Sequence, residues 1–158
     1  MLRTQVQSTR RRASGGITQP YAKRVAARTY RLEEANQALP EVRRLTERIV
    51  ELSERLPELE DELRIAEYRA HRAEAAAADR RRYDERAEQL RSSEEELVGA
   101  VTRLDELGIQ LKDASTGLVD FLSYRDGELV ELCWKLGEDQ VGHWHRIGEG
   151  YAGRKPID

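Results

Sequence analysis

The sequence has one cysteine, Cys133, so no disulfide can form within the chain. A reducing cytoplasm is therefore the expected compartment. No apolar run approaches the roughly 18 residues that a membrane-spanning helix needs. The basic N-terminus is not followed by the apolar core of a secretory signal. These absences exclude a disulfide-stapled domain and leave a cytoplasmic protein without a membrane partner as the expectation.

Acidic residues are missing from residues 1–28, which carry seven of the 27 basic residues. The rest of the chain has 20 basic and 30 acidic residues, so a basic tail precedes an acidic body. The tail is also poor in apolar residues, and we predict that residues 1–28 are disordered. Its run of three arginines at positions 10–12 could hold nucleic acid weakly through phosphate contacts. A solubilising extension is favoured, because the tail has few aromatic side chains to stack on bases.

The most regular feature present is a stripe of apolar residues three and four positions apart, typical of a long helix in a coiled-coil-like seam. Its members are Val42, Leu45, Ile49, Leu52, Leu56, Leu59, Leu63, Ala66, Ala70, Ala73 and Ala77. A weaker stripe in a different register follows at Tyr83, Ala87, Leu90, Leu97, Val101 and Leu104. Two stripes in different registers cannot share one straight seam, but they can face each other after a turn. We therefore predict an antiparallel helical hairpin with its tip between Ala77 and Tyr83.

Two prolines interrupt this region. Pro40 biases Leu39 away from the helical conformation, so a short separate helix over about Leu32–Ala38 is predicted to precede the long one. Pro57 lies inside the stripe while the heptads continue on both sides, which favours a kink that preserves the seam. The rival to the hairpin is one continuous helix from Pro40 to Leu107 that pairs with a second chain.

Beyond Gly108, which is placed to end the second helix, the apolar pattern alternates. Strand-like segments lie at 109–111, 118–124, 129–136 and 141–145, and Arg125-Asp126-Gly127 is a hairpin signal between two of them. Short hairpins are not stable alone, so the strands should form a second layer on the open end of the helices. The predicted fold class is α+β: a long antiparallel helical hairpin (residues 29–107, including the short helix) followed by a small C-terminal antiparallel β-sheet (residues 108–158).

Several sequence blocks recur together in one known family. They are Leu-Glu-Glu-Ala-Asn-Gln-Ala-Leu-Pro-Glu-Val at 32–42, Gly-Ile-Gln-Leu-Lys-Asp at 108–113, Gly-Leu-Val-Asp-Phe at 117–121, Leu-Cys-Trp-Lys-Leu-Gly-Glu at 132–138, Trp-His at 144–145 and Gly-Tyr-Ala-Gly-Arg at 150–154. The set resembles the bacterial family called domain of unknown function 2203 over roughly residues 30–158. The resemblance implies no particular activity.

Candidate metal ligands lie in the C-terminal third. Cys133, His143 and His145 are soft or borderline ligands, and two histidines two positions apart in a strand point the same way. With Glu138 or water as a fourth ligand they could bind zinc or iron, and no other cofactor is predicted. Their spacing matches no established metal signature, so a half-buried cysteine beside a polar strand face is the simpler interpretation. Catalysis by Cys133 would need an orienting group and an oxyanion donor that the sequence does not reveal, so catalytic residues stay unassigned.

A second charged group consists of Lys112, Asp113, Asp120 and Arg154. It could form a pocket for a small anion or a partner peptide. A salt-bridge network that fixes the loops onto the sheet is favoured.

Two functions follow from these patterns. The leading one is a non-catalytic interaction module that forms a homodimer through its slender hairpin, which encloses little core, and that binds an unidentified protein partner. The alternative is a metal-binding or metal-dependent protein that uses the C-terminal cysteine and histidines.

Overall fold

A computed structural model describes residues 28–157 of the chain. Two helices, α1 (Leu32–Ala70) and α2 (Ala77–Glu106), are followed by β1 (Ile109–Asp113), β2 (Leu118–Arg125), β3 (Glu128–Lys135), β4 (His143–Arg146), a 3₁₀ turn (Tyr151–Gly153) and β5 (Lys155–Pro156). The strands form one antiparallel sheet in the order β1-β2-β3-β4-β5. The predicted α+β class and helical hairpin are confirmed. The tail predicted to be disordered is residues 1–28. Of these, residues 1–27 lie outside the described range and only Arg28 lies within it.

Helix α1 runs through both Pro40 and Pro57 without a break. The predicted separate helix over Leu32–Ala38 is therefore wrong. Leu39 and Val42, on either side of Pro40, are both buried against the same core. A continuous helix places them on one face, and this burial outweighs the bias of a residue before proline against the helical conformation.

The turn of the hairpin spans residues 71–76, earlier than the predicted position between Ala77 and Tyr83. Asp79 lies in the first turn of α2 and accepts a hydrogen bond from the backbone N–H of Ala76 at 3.3 Å. This bond satisfies a donor that a helix start otherwise leaves unpaired. Ala73 and Ala77 are exposed, so their place in the apolar stripe was not a sign of burial.

Apolar burial between the helices decreases from the sheet toward the turn. Near the sheet, Ile49 and Leu52 of α1 are buried, and α2 contributes Ala100 and Leu104. Farther out, the helices are also joined by ion pairs, including Arg86 to Glu62 at 3.1 Å. Within the described residues neither helix has an apolar stretch long enough to cross a bilayer.

One face of the sheet packs on the base of the hairpin and forms the main core. Along β2 and β3 this inner face presents Val119, Phe121, Leu132 and Trp134, which join the buried residues of the helices. The β2–β3 turn has positive φ at Asp126 (52°) and Gly127 (82°), as a two-residue type I′ turn requires. This turn places Arg125 opposite Glu128 and confirms the predicted hairpin.

Tyr30 fastens the start of the described chain to the sheet and to the end of α2. Its backbone N–H donates to the Leu122 carbonyl at 2.8 Å, and its carbonyl accepts from Ser123 Oγ at 2.7 Å. Its buried side chain donates from Oη to the Leu107 carbonyl and packs edge-on against Phe121. Three separate parts of the fold therefore meet at this residue.

Candidate metal centre

The outer face of the sheet, turned away from the helices, has a group of polar residues at its centre that are nevertheless buried. Asp120, Glu131, Cys133 and His145 are 2%, 6%, 0% and 1% exposed. Asp120 is directly opposite Cys133 on the neighbouring strand, and Glu131 is opposite His145. Directly paired residues point to the same face of a sheet, so the alternation that builds the apolar core on one side gathers these four polar groups on the other.

Asp120, Cys133 and His145 come closest together, and we refer to them as the Asp-Cys-His cluster. They come from β2, β3 and β4, and one potential ligand atom from each lies within 4.8 Å of the other two. His145 Nε2 is 3.2 Å from Asp120 Oδ2, but the two are not aligned for a hydrogen bond. Nε2 of His145 and Oδ1 of Asp120 are buried without a hydrogen-bond partner. The cluster therefore contains two unsatisfied acceptor atoms that are themselves buried.

The other ring nitrogen of His145 has partners. Nδ1 lies 2.9 Å from the Arg146 carbonyl oxygen and 3.4 Å from Glu131 Oε2. Since both partners are acceptors, this hydrogen-bond network assigns the proton of a neutral imidazole to Nδ1. The lone pair of Nε2 is then directed into the cluster. A histidine that binds a metal usually donates its second N–H to a carbonyl or carboxylate in this way.

Lys112 supplies positive charge at the edge of the cluster. Its Nζ is 3.0 Å from Glu131 Oε1 and 3.5 Å from Asp120 Oδ2. Burial by itself lowers the pKa of Lys112, but the hydrogen bond to Glu131 and the two carboxylate charges outweigh it and raise the pKa above its usual value. Lys112 is therefore charged at neutral pH.

Burial also acts on the two acidic groups of the cluster. It raises the pKa of Asp120, and nearby positive charge, including that of Lys112, only partly opposes this. It raises the pKa of Cys133 to about 12, helped by Asp120 and opposed by the positive charge of Arg154. Without a bound cation, Cys133 is therefore a neutral thiol.

The structure brings together two of the four predicted metal ligands, Cys133 and His145. His143 and Glu138 lie outside the Asp-Cys-His cluster, 4.0 Å from each other. One oxygen of Glu138 accepts a hydrogen bond from Arg154 at 2.7 Å, and the other accepts one from the Lys135 backbone at 3.0 Å. These bonds fix Glu138 within the β3–β4 connection, apart from the Asp-Cys-His cluster.

The predicted charged group divides into separate parts. Lys112 and Asp120 are together at the cluster. Asp113 is apart from them and accepts hydrogen bonds from Ser115 in the β1–β2 turn. Arg154 pairs with Glu138. Sequence reasoning missed Glu131 as a site residue, although it stands two positions before Cys133 on the same strand face.

These features define a small α+β protein in which a helical hairpin supports a five-stranded antiparallel sheet with a buried Asp-Cys-His cluster. The chain belongs to the family described as "Uncharacterized conserved protein (DUF2203)", whose model matches residues 28–157. The family inferred from the sequence blocks is thereby confirmed. No curated protein and no solved structure matches the chain.

Proposed function

We propose that this protein binds a divalent transition-metal ion, with zinc the best fit, through Asp120, Cys133 and His145. The observation that carries the proposal is two buried acceptors without a hydrogen-bond partner, His145 Nε2 and Asp120 Oδ1, beside the Cys133 thiol, with the other oxygen of Asp120, Oδ2, facing Nε2 at 3.2 Å. Buried acceptors without a donor are costly, and two that face each other repel. A cation between them satisfies both.

The donor set fits zinc. Thiolate, imidazole and carboxylate are its usual protein ligands. In a tetrahedral zinc site, neighbouring ligand atoms are about 3.3–3.8 Å apart. The three atoms here lie within 4.8 Å of one another, so side-chain shifts of about 1 Å or less would bring them to a common ion.

Charge balance also favours a dication. Two buried carboxylates, Asp120 and Glu131, face one ammonium group, that of Lys112. Binding a metal would displace the proton of Cys133, since the thiolate is the ligand form. One dication and one ammonium would then balance one thiolate and two carboxylates.

The test is the metal content and thermal unfolding of protein purified without a histidine tag. We expect about one zinc per chain, and a melting temperature that rises with added zinc and falls with a chelator. At a free zinc concentration of 100 times Kd, the stabilisation should be about 2.7 kcal/mol. The response should grow with pH, because protons compete with zinc for imidazole and thiolate.

Variants assign the response to the cluster. His145→Ala and Cys133→Ser should abolish it. His143→Ala is the matched control, since it removes an imidazole from the same strand face outside the cluster. This variant should retain most of the response to zinc. A wild-type protein without stoichiometric metal, whose melting curve ignores both zinc and chelator, would overturn the proposed metal site.

Self-association is the second candidate function. The observation that favours it is the pair Ile65 and Tyr68, three positions apart on α1 in the outer part of the hairpin, which are 55% and 73% exposed. Two adjacent apolar side chains on a helix surface can pair with the same patch of a second copy. The sedimentation experiment below tests this candidate.

A further inference from the structure

A cavity of about 260 Å³ adjoins the Asp-Cys-His cluster and opens to solvent on one side. Its lining consists of Lys112, Leu118, Asp120, Glu131, Gly148, Gly150 and Tyr151. The two glycines have positive φ, 89° and 65°, which side chains rarely adopt. The backbone conformation therefore keeps this part of the wall free of side chains.

The cavity reaches the cluster at one point. Asp120 belongs to the lining, whereas Cys133 and His145 do not and are 0% and 1% exposed. Three protein ligands leave the fourth position of a tetrahedral ion open. Since protein atoms cover the cysteine and histidine sides, the cavity is the side from which a fourth ligand would approach an ion held by these three residues.

We propose that the cavity admits a small anion, which binds the metal as an exchangeable fourth ligand and is held by Lys112. This inference rests on the metal site proposed above. Lys112 is fixed by Glu131 at 3.0 Å, and its contact with Asp120, at 3.5 Å, is the looser of the two. When Asp120 coordinates the metal, its charge is compensated by the ion. Lys112 is then free to direct an N–H toward an anion in the cavity.

The test uses cobalt(II) in place of zinc, because zinc has no visible absorption and cobalt reports on its ligands. The full-length protein is loaded with cobalt, and absorption bands from thiolate and imidazole coordination are recorded. Sodium azide is then titrated as the anion. We expect a saturable change of the visible bands with one azide per metal.

Three variants locate the azide. Lys112→Met should weaken azide binding on the order of tenfold, since it removes a charge close to the anion. Lys155→Met makes the same charge change on β5 and should leave azide affinity unchanged. Leu118→Phe reduces the cavity without touching a ligand, and it should weaken azide binding while the cobalt bands stay. Leu118→Phe also tests the cavity assignment if Lys112→Met fails to fold.

The outcomes separate the two proposals. Cobalt bands that azide does not alter would overturn the anion site and leave the metal site standing. Azide binding that is unaffected by both Lys112→Met and Leu118→Phe would place the anion elsewhere and overturn the assignment to this cavity. Failure to obtain cobalt bands would overturn the metal site and the anion site together.

Discussion

Each face of the sheet buries a group of side chains, and the two groups are chemically opposite. On the inner face Phe121 and Trp134 are covered by the helices, and on the outer face Cys133 and His145 are just as inaccessible. Burying an apolar side chain stabilises the fold by about 1.5–3 kcal/mol. Burying a polar group costs free energy unless each donor and acceptor finds a partner. The inner face therefore explains why the protein folds, and the unpartnered acceptors of the outer face are the basis of the proposed metal site.

The largest effect should come from the inner face. Phe121→Ala removes a fully buried ring and should lower the free energy of unfolding by about 3–5 kcal/mol. Because this loss arises from packing, we expect the same loss of unfolding free energy with added zinc and with a chelator. Urea denaturation under the two conditions measures it. His145→Ala should differ from the wild type mainly in zinc. A Phe121→Ala effect that depends on zinc would show that the two faces are coupled.

A smaller effect should distinguish the outer face without metal. Burial raises the pKa of Asp120, so folding disfavours its ionised form. Its contribution to stability is therefore greatest below the unfolded pKa of about 3.9 and is lost as pH rises through the folded pKa. In chelator at pH 7, Asp120→Asn should stabilise the protein by on the order of 1 kcal/mol. The gain should shrink toward pH 4.

The same variant should lose the response to zinc. Urea denaturation from pH 4 to pH 8, with and without zinc, measures both effects. If Asp120→Asn is less stable than the wild type at pH 7 in chelator, then the contacts of Asp120 with His145 and Lys112 outweigh its burial.

The fold could be predicted from the sequence where apolar residues recur at a short, regular spacing. Heptad spacing located the helices, and alternation with Asp126-Gly127 located the β2–β3 hairpin. The helix ends were harder to predict, because alanine is compatible with an apolar stripe whether it is buried, as at Ala66, or exposed, as at Ala73. The continuity of α1 at Pro40 depends on tertiary burial, which local sequence does not contain.

The site could be predicted in part. Cys133 and His145 were predicted as ligands of one site, but Asp120 was assigned to a different group. The two-residue turn could have corrected this, because Arg125 opposite Glu128 requires Asp120 opposite Cys133. No such rule fixes β4, since the connection over residues 136–142 is longer than a tight turn. That the outer face is buried could not be inferred from alternation.

Apolar side chains that are not buried within the chain provide a third test. Ile65→Ser with Tyr68→Ser should leave helicity and the melting temperature nearly unchanged, because both side chains are exposed in the single chain. If they mediate a dimer, sedimentation at micromolar concentration should show wild-type dimer and variant monomer. Ile49 and Leu52 are unsuitable for this experiment, since they are buried within the chain and their replacement would unfold it. A wild-type monomer would remove the self-association hypothesis.

The smallest effect should come from the basic tail. Deleting residues 1–27 should shift the melting temperature very little, because so few apolar residues can contribute little burial to either face. Arg28 is retained, since its guanidinium lies 4.5 Å from the centre of the Tyr30 ring. Any nucleic-acid binding should disappear with the tail and should already weaken as salt rises. A marked loss of stability would mean that the tail packs on the body.

The contacts of Tyr30 have a consequence for the order of folding. Each strand of the sheet pairs with its neighbour in sequence, so the sheet can form by closing short loops. Tyr30, in contrast, forms hydrogen bonds with Leu107 and Ser123, which are 77 and 93 positions later in the chain. Closing so long a loop costs more entropy, and its partners exist only after the sheet and α2 are in place. We therefore expect Tyr30 to dock late, so that Tyr30→Phe accelerates unfolding more than it slows folding.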